Sequence, residues 1–396
     1  MFNWISQVFL VSQFNIRTLP QRLGSSLSAV IGIAGVVAVM VAVLSIAQGI
    51  LRTMDRSAGD RNVIVLRTGA NTEMMSGLSG EDTDIIAEAP GLARNELGAL
   101  ASPELFVVIN LPKRNTGTDA NVPMRGVRRQ AFEVRDSVNI VQGRMFGWGL
   151  NEVIVGTGAM REFRGLEVGS AIEVAQELWT VVGAFEAGGG LAETEIWVDA
   201  AVLAPAYRRG NFYQAVYATL ASEQAWPEFR DALTADPRLN VKPMRERDYY
   251  ATQSTTLTNL VNGLGSLIAV IMGLGAVFGA LNTMYTAVAS RTREIATLRA
   301  LGFRSGPVVI SVLAESLLLA LFGGALGAGL AWLFFDGYEA ATLNWESFSQ
   351  VAFSFQVTPQ LLGLGIFFAM LIGLVGGLLP AIRAARQPVA TALREL

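Results

Sequence analysis

The sequence contains no cysteine and no histidine, and only two lysines among its 396 residues. The absence of cysteine and histidine excludes disulfide bonds, thiol nucleophiles, histidine-based catalytic triads and Cys/His zinc sites within these residues. Neither Lys113 nor Lys242 stands in a G-x-x-x-x-G-K-[ST] phosphate-binding loop. The chain is therefore not expected to hydrolyse ATP by a P-loop mechanism, and any ATP-driven work would need a second polypeptide.

Charged residues are also scarce. Asp, Glu, Lys and Arg make up 16% of the chain, against about 25% in soluble domains, whereas 52% of the residues are apolar and the mean hydropathy is +0.42. This composition is typical of a protein that is at least partly embedded in a membrane. The net charge of −3 is too small to indicate a nucleic-acid partner, and we expect none.

Four apolar runs are each long enough to cross a bilayer, which takes roughly 20 residues. The first is much longer than the roughly 7–15 apolar residues of a cleaved signal peptide, so we interpret it as an uncleaved anchor. The stretch 1–26 before it is amphipathic, with Trp4 and Phe9, and predicts a helix in the membrane interface, with a loosely ordered leader as the alternative. The predicted spans are 27–51, 259–289, 307–335 and 359–382.

Residues 52–258 have a different character, with short apolar runs separated by turn residues and charges. Runs such as 62–67 and 178–185 predict strands, and Ser79 followed by acidic residues predicts the start of a short helix. The segment therefore predicts a mixed α+β domain of about 200 residues, which is large enough to bury its own core.

Arginine is distributed unevenly among the connecting segments. The loop 290–306 and the tail 383–396 are rich in arginine, whereas the loop 336–358 contains no Lys or Arg. The positive-inside rule then predicts that both termini and the loop 290–306 are cytoplasmic. The domain 52–258 and the loop 336–358 are predicted to lie on the opposite, extracytoplasmic side.

The loop 290–306 joins an apolar run to a basic stretch without a helix breaker. Ile295, Leu298 and Leu301 recur at three-residue steps, and Gly302 is a natural helix stop. The pattern predicts a short amphipathic helix lying at a membrane surface. An ordinary cytoplasmic loop carrying positive-inside arginines is the alternative.

The residues of this stretch resemble a known signature loop. The order Asn282-x-Met284, Ala287-Val288 and Arg291-x-Arg293-Glu294-Ile295-Ala296-x-Leu298-Arg299-Ala300-Leu301-Gly302 is similar to that of the MacB/FtsX/LolC family of ABC-transporter membrane subunits. The strand and turn order over 137–198 and the tail over 380–394 also resemble this family. In the family, the loop is a coupling helix that docks into the ATPase. The resemblance assigns that role to Arg291, Arg293, Glu294, Ile295, Leu298, Arg299, Leu301 and Gly302.

The resemblance implies a four-span α-helical bundle with a mixed α+β extracytoplasmic domain inserted between spans 1 and 2. It implies a permease of the bacterial inner membrane without a cofactor of its own, since ATP and Mg would be bound by a separate ABC-type ATP-binding subunit. Further implied partners are a second permease, as homodimer or heterodimer, a periplasmic membrane-fusion adaptor and the lipid bilayer.

The expected activity is export or extraction of an amphiphile (a lipid, lipoprotein, peptide or drug) by mechanotransmission. Helical character is continuous from about 247 to 284, which suits a helix that carries force between the outer domain and the coupling helix. The alternative is an FtsX-like signal transmitter that activates a cell-wall hydrolase. A membrane-bound enzyme is a third possibility, based on Glu193, Glu195 and Asp199, although carboxylates around a glycine turn more often form a solvated hairpin.

Small residues recur at four-residue steps in every span, a spacing that lets helices pack closely within a bundle or in a dimer. They are Ala34, Ala38, Gly275, Gly279, Gly323, Gly327, Gly373 and Gly377. Glu315 is the only acidic residue inside a predicted span. A proton or substrate role is possible for it, but we expect a structural ion pair with Arg299 or Arg304.

Overall fold

The computed structural model of the protein describes residues 4, 6–9, 13, 23–96, 98–344 and 349–386. The interfacial helix predicted over 1–26 falls largely outside these residues, as does the tail from 387. The chain forms two compact units. We call them the helical unit (1–48, 259–338 and 355–396) and the sheet unit (49–258 and 339–354).

Helix α1 (Leu23–Ser57) contains the first apolar run. It is one of four described helices that are long and apolar enough to cross a membrane. The helix extends beyond the predicted span 27–51 at both ends, because no helix-breaking residue stands on either side of the apolar run. Its last turns belong to the sheet unit.

The sheet unit is a mixed α+β domain, as the composition of 52–258 predicts. In chain order it comprises β1 (Asn62–Arg67), β2 (Leu78–Ser79), α2 (Gly80–Glu88), β3 (Arg94–Asn95), β4 (Gly98–Ala99), β5 (Ala101–Pro112), β6 (Asp119–Val127), α3 (Ala131–Val134), β7 (Asn139–Gly143), β8 (Glu152–Gly156), α4 (Thr157–Glu162), β9 (Ala171–Val174), β10 (Glu177–Glu186), β11 (Ile196–Asp199), α5 (Ala200–Ala206), β12 (Phe212–Tyr213), β13 (Ala215–Thr219), α6 (Trp226–Ala235) and β14 (Val241–Arg245).

Ten of these strands form one sheet, in the order β14-β1-β13-β5-β6-β11-β8-β10-β7, with β9 pairing beside β10. The β8–β10 and β6–β11 pairs are parallel, and the other pairs are antiparallel. Strands β5 and β6 form the long hairpin at its centre, in register from Leu105 opposite Gly126 to Pro112 opposite Asp119. Helix α2 begins at the Ser79 cap that the sequence predicts, with a capping box in which Ser79 and Asp82 each bind the other's backbone N–H.

Both faces of the sheet are buried, because alternate residues of its strands point into different cores. One core contains Leu105, Val153 and Trp179. On the opposite face lie the neighbouring positions Ile154 and Trp197, with further aromatic residues. This second face also buries charged side chains, which are described below.

The remaining helices follow the sheet strands. They are α7 (Glu246–Ala289), α8 (Thr292–Ala300), α9 (Ser305–Phe335) and α10 (Pro359–Arg386). Helices α7, α9 and α10 contain the other three candidate spans, and α8 is the short helix predicted in the loop 290–306. Helix α7 is one uninterrupted helix of 44 residues.

Residues 336–358, predicted as a loop, contain a two-stranded hairpin of β15 (Glu339–Asn344) and β16 (Ser349–Ser354). The prediction missed it because both strands are short and have little of the β-branched and aromatic enrichment that marks a strand in a sequence. The hairpin belongs to the sheet unit, although it follows α9 in the chain.

Glycines allow the close approach of helices within the helical unit. A Cβ atom on Gly323 or Gly327 would overlap the backbone of α1, where Ala34 lies, and one on Gly373 or Gly377 would overlap side chains of α9. Gly275 and Gly279 of α7 instead face open space among the described residues. Ala34 is buried and Ala38 is half-buried. The predicted glycines therefore fall into two groups. Those of α9 and α10 pack against neighbouring helices, and a Cβ atom on those of α7 would contact no other helix among the described residues.

Candidate functional site

Helix α8 forms a short amphipathic segment between two apolar helices. Ile295 and Ala296 are buried, whereas Arg293 and Glu294 are exposed. Glu294 lies in the first turn and Arg299 in the last, which matches both charges to the helix dipole. The helix therefore has one face packed within the helical unit and one charged face open to a partner.

The end of α8 differs from the prediction. The helix ends at Ala300, so Leu301 does not continue its apolar face and is instead 73% exposed. Gly302 follows with φ of +98°, and Phe303 N–H donates to the carbonyl of Leu298. A left-handed glycine that closes the last turn in this way is a common helix stop. It presents a large apolar side chain, Leu301, at the tip of the loop.

A buried ion pair anchors the start of α8. Arg291 Nη1 lies 2.9 Å from Glu315 Oε2 of α9, and both side chains are almost fully buried. We predicted Arg299 or Arg304 as the partner of Glu315, and the structure shows Arg291 in that place. The reason is the turn at the end of α7, which directs Arg291 back towards α9, whereas Arg304 is exposed.

A small cavity adjoins this ion pair within the helical unit. Its lining residues come from α7, α8 and α9, and they are Met284, Ala287, Val288, Arg291, Glu294, Ile295, Leu298, Val308, Val312 and Glu315. Four predicted coupling residues, Arg291, Glu294, Ile295 and Leu298, therefore lie together around one cavity. Arg293, Leu301 and Gly302 lie on the exposed side of the segment.

The sheet unit contains a second buried ionic group, which we call the charge cluster: Arg125, Arg135, Glu73, Glu104 and Glu195. Arg125 contacts all three carboxylates at 2.7–2.9 Å. Arg135 binds Glu104 through two hydrogen bonds of 2.6 and 2.9 Å. All five side chains are buried. The cluster thus has three carboxylates against two guanidinium groups.

Aromatic rings complete the surroundings of the charge cluster. The guanidinium of Arg135 lies 4.0 Å from the ring centre of Tyr217, and that of Arg125 lies over Phe106. Trp197 donates its indole N–H to Glu195. Stacking on aromatic faces stabilises a buried guanidinium, because the negative ring face attracts the cation after water has been removed.

Two buried carboxyl groups of the sheet unit, Glu104 and Glu246, have pKa values shifted in opposite directions. Burial raises the pKa of Glu104, but Arg135 and Arg125 outweigh this effect and hold the pKa below its ordinary value. Glu246, at the start of α7, has no such partner at close range. Burial raises the pKa of Glu246 to about 7. The charge of Arg135 and the hydrogen bond that Glu246 accepts from the Gly59 N–H act in the opposite direction, towards a lower pKa.

The hypothesis that Glu193, Glu195 and Asp199 form a solvated hairpin is wrong. Glu195 belongs to the charge cluster, and Asp199 is buried and caps α5 through Ala201 N–H. Glu193 is half-buried and accepts two backbone N–H groups of the adjoining glycine turn. These carboxylates are held by arginine or by backbone donors, because the sheet and its turns close over them.

Arg125, Arg135 and Glu104 were not predicted as site residues. The one available signal was position, because Arg125 stands between Met124 and Gly126 in a run that alternates towards the core. A charged residue at an inward strand position requires a buried counter-charge. The partners, however, come from distant parts of the chain and cannot be paired from the sequence.

Two family models match the chain. The first, "MacB-like periplasmic core domain", matches residues 26–236, which is more than half of the chain. The second, "FtsX-like permease C-terminal", matches residues 266–389.

Individual proteins show the same likeness. The chain is 25% identical over 388 residues to a macrolide export ATP-binding/permease protein MacB of Paracoccus denitrificans, covering 93% of this chain and 55% of that protein. It is 34% identical over 136 residues to YknZ of Bacillus subtilis, an uncharacterized ABC transporter permease, covering 33% of this chain and 30% of that one. The chain thus matches about half, or less, of the length of these curated relatives.

A solved structure is also similar. The extracellular domain of the ABC-type transporter YknZ from Gram-positive bacteria matches with a TM-score of 0.35 and 14% identity, covering 46% of this chain and 99% of that domain.

Proposed function

The chain belongs to the ABC-transporter permease family that joins a MacB-like periplasmic core domain to an FtsX-like permease domain, and we propose that it couples a separate ATPase to movements of its sheet unit. It would lie in the bacterial inner membrane, with the sheet unit in the periplasm and both termini in the cytoplasm. ATP and Mg would be bound by the partner, and this chain would carry no catalytic site.

The observation that carries this proposal is the construction of α8. A partner needs a surface that is both exposed and firmly held. Arg293, Glu294 and Leu301 supply the exposed part, while Ile295 packs inside the helical unit. The Arg291–Glu315 ion pair connects the residue just before α8 to α9. A displacement of α8 by a cytoplasmic partner would therefore be transmitted to the membrane helices and not absorbed by a flexible loop.

Helix α7 supports the mechanotransmission part of the proposal. It runs unbroken from Glu246 to Ala289, two residues before Arg291. A continuous helix transmits displacement along its axis because each turn is hydrogen-bonded to the next. The work done outside would be export or extraction of an amphiphile, in a permease dimer with a periplasmic adaptor.

The ATPase interface is tested by purifying the tagged full chain from native membranes in mild detergent and identifying its partners by mass spectrometry. We expect to recover a P-loop ATPase with the wild type. The amount of ATPase recovered is expected to fall about tenfold or more with Glu294→Arg, which reverses an exposed charge, and with Leu301→Asp, which replaces an exposed apolar side chain by a charged one. Leu178→Asp, at another strongly exposed leucine, is the matched control and is expected to keep the ATPase. Retention by both α8 variants would overturn the proposed interface.

The same eluate distinguishes the two kinds of outside work. An adaptor or outer-membrane channel protein supports the exporter. A cell-wall hydrolase or its activator in its place supports the FtsX-like transmitter.

Force transmission needs a separate test. Asn262→Pro breaks the hydrogen bonding of α7, whereas Asn262→Ala preserves it. We expect the proline variant to keep the ATPase bound but to lose transport and substrate-coupled ATP hydrolysis. Intact transport in the proline variant would exclude α7 as the transmitting element.

A further inference from the structure

An open cavity in the sheet unit lies beside the last turn of α1. It has a volume of about 460 Å³, including its mouth, and its lining includes Arg56, Arg161, Glu193 and Glu339. We propose that this cavity binds the headgroup of a phospholipid that carries both a phosphate and an ammonium group, as phosphatidylethanolamine does. The inference needs only the membrane location of the chain and is independent of the proposed coupling to an ATPase.

The charges of the cavity match a zwitterion. Arg56 is exposed and makes no hydrogen bond or ion pair to any other residue that the structure describes. Glu193 uses one oxygen, Oε1, to accept the N–H groups of Ala187 and Gly189, and its Oε2 has no donor within the described residues. Arg161 and Glu339 form an ion pair at the edge of the cavity. The cavity therefore presents an unpaired cation and an available carboxylate oxygen, with no net charge among these four side chains.

The glycine turn that forms one wall is held in place. Gly188 and Gly189 have φ of +61° and +78°, which other residues rarely adopt. Leu191 N–H donates to Ser57 Oγ at 2.7 Å, so the turn is fixed against the last residue of α1. A Cβ atom on Gly189 would lie 2.9 Å from Arg56 Nη1. The turn is therefore shaped to accommodate the guanidinium and keep it at the cavity.

The lining segments are close in sequence to the ends of three apolar helices. Arg56 follows the apolar run 27–51 by five residues, which is about 7–8 Å along a helix. Glu339 comes four residues after α9 ends at Phe335, and Ser354 comes five residues before α10 begins at Pro359. The headgroup layer on each side of a bilayer is roughly 5–8 Å thick. These separations along the chain would place the lining residues at the depth where headgroups lie.

The chemistry of the lining favours one class of lipid. A guanidinium binds phosphate oxygens through paired, charge-assisted hydrogen bonds, so Arg56 would hold the phosphate. The carboxylates of Glu193 and Glu339 would accept hydrogen bonds from the ammonium group. An anionic lipid such as phosphatidylglycerol offers these carboxylates no cation and adds a negative charge beside them.

The proposal is tested by native mass spectrometry of the full chain in detergent, incubated with equal amounts of phosphatidylethanolamine and phosphatidylglycerol of the same acyl chains. We expect the wild type to retain phosphatidylethanolamine preferentially, and Arg56→Gln to reduce its retention by about tenfold, the effect of losing one charge-assisted contact. The matched control is Arg52→Gln, one helical turn nearer the apolar run and not part of the lining, which is expected to retain the wild-type preference. Equal retention by Arg56→Gln and the wild type would overturn the proposal.

A second variant tests the role of the carboxylates. Glu339→Gln leaves Arg161 without its ion-pair partner, so the cavity gains a positive charge, and retention is expected to shift towards phosphatidylglycerol. An unchanged lipid preference in this variant would contradict the assignment of the ammonium group.

Soluble phosphoethanolamine tests whether the cavity recognises a lipid or a free compound, because it has the same phosphate and ammonium groups as the headgroup of phosphatidylethanolamine. If it binds the lipid-free protein as tightly as the lipid does, and this binding is lost in Arg56→Gln, then the cavity recognises a soluble aminophosphate, and the lipid assignment is overturned. Weak or absent binding of the soluble compound supports a membrane lipid.

Discussion

The two units each bury arginine, but in different ways. In the helical unit one arginine meets one carboxylate, Arg291 with Glu315. In the sheet unit the charge cluster places Arg125 and Arg135 among three carboxylates, and a further acid, Glu246, is buried nearby. The pair is neutral, whereas the cluster has an excess of negative charge. Removing one member should therefore have different consequences in the two places.

The two ionic sites also connect different parts of the molecule. The pair joins the residue just before α8 to a neighbouring helix, so it positions α8. The charge cluster joins segments from Glu73 to Glu195 across the face of the sheet, so it fixes how those segments pack. Buried ion pairs add little net stability over apolar packing, but leaving one partner alone is costly. Both sites therefore act mainly by allowing one arrangement and penalising others.

The largest effect is expected for Arg125→Met. This substitution leaves Glu73 and Glu195 buried without their guanidinium, and a single uncompensated buried charge costs about 3–5 kcal/mol. We expect loss of folded protein, measured by size-exclusion chromatography and thermal unfolding in detergent. Arg129→Met, at an exposed arginine, is the control and is expected to unfold like the wild type. A melting temperature for Arg125→Met within a few degrees of the wild type would show that the cluster is not required for folding.

A smaller effect, about 3 kcal/mol, is expected for Glu315→Leu, because the substitution removes one buried carboxylate from the guanidinium of Arg291. The double variant Arg291→Met/Glu315→Leu removes both charges, and its melting temperature is expected to return close to that of the wild type. If the double variant is as unstable as the single one, the contribution of the pair is not electrostatic. ATPase binding by the double variant would show whether the pair has a role beyond positioning α8.

The burial of Glu246 in the sheet unit predicts a pH dependence. Folding raises the pKa of Glu246 from 4.5 to about 7, so the native state holds a proton that the unfolded chain releases. The stability due to this proton is complete below about pH 4.5 and is lost as the pH rises to about 7, a change of roughly 3 kcal/mol. The groups that act on Glu246 are Arg135, Glu104, the side chain of Asn62 and the backbone N–H of Gly59, and Glu246 in turn acts on Tyr250. The lowered pKa of Glu104 acts in the opposite direction, but only in more acidic solution.

We therefore expect the melting temperature of the wild type to fall between pH 5 and pH 8. Glu246→Gln, which cannot ionise, should flatten this dependence and be the more stable form at pH 8. Parallel pH profiles for the two proteins would contradict the assignment.

The smallest effects concern the glycines of the helical unit. Gly327→Ala places a methyl group against the backbone of Ala34 and is expected to cost about 1–3 kcal/mol. Gly275→Ala meets no atom among the described residues and is expected to gain about 0.5–1 kcal/mol, because alanine is the better helix former. Thermal unfolding of the two variants measures the difference. If Gly275→Ala instead dissociates a dimer, the open face of α7 is the contact with a second copy.

Much of this architecture could be predicted locally. The four apolar helices, the short helix after Ala289 and the capping box at Ser79 each depend on residues within one or two turns of the chain. The hairpin of β15 and β16 was missed because its strands are stabilised by pairing more than by composition. Leu301 was placed on the apolar face of α8 because the three-residue pattern continues past the point where the helix ends.

The apolar helices, the mixed domain between the first two of them and the family resemblance can all be recognised in the residue order. Which charges meet depends on tertiary packing. Arg291 rather than Arg299 or Arg304 pairs with Glu315, and Arg125 gathers carboxylates that lie 21 to 70 residues away. The physical reason is distance along the chain. The spacing of apolar residues indicates which face of one helix or strand is buried. An ion pair between distant residues depends instead on how separate elements pack against each other.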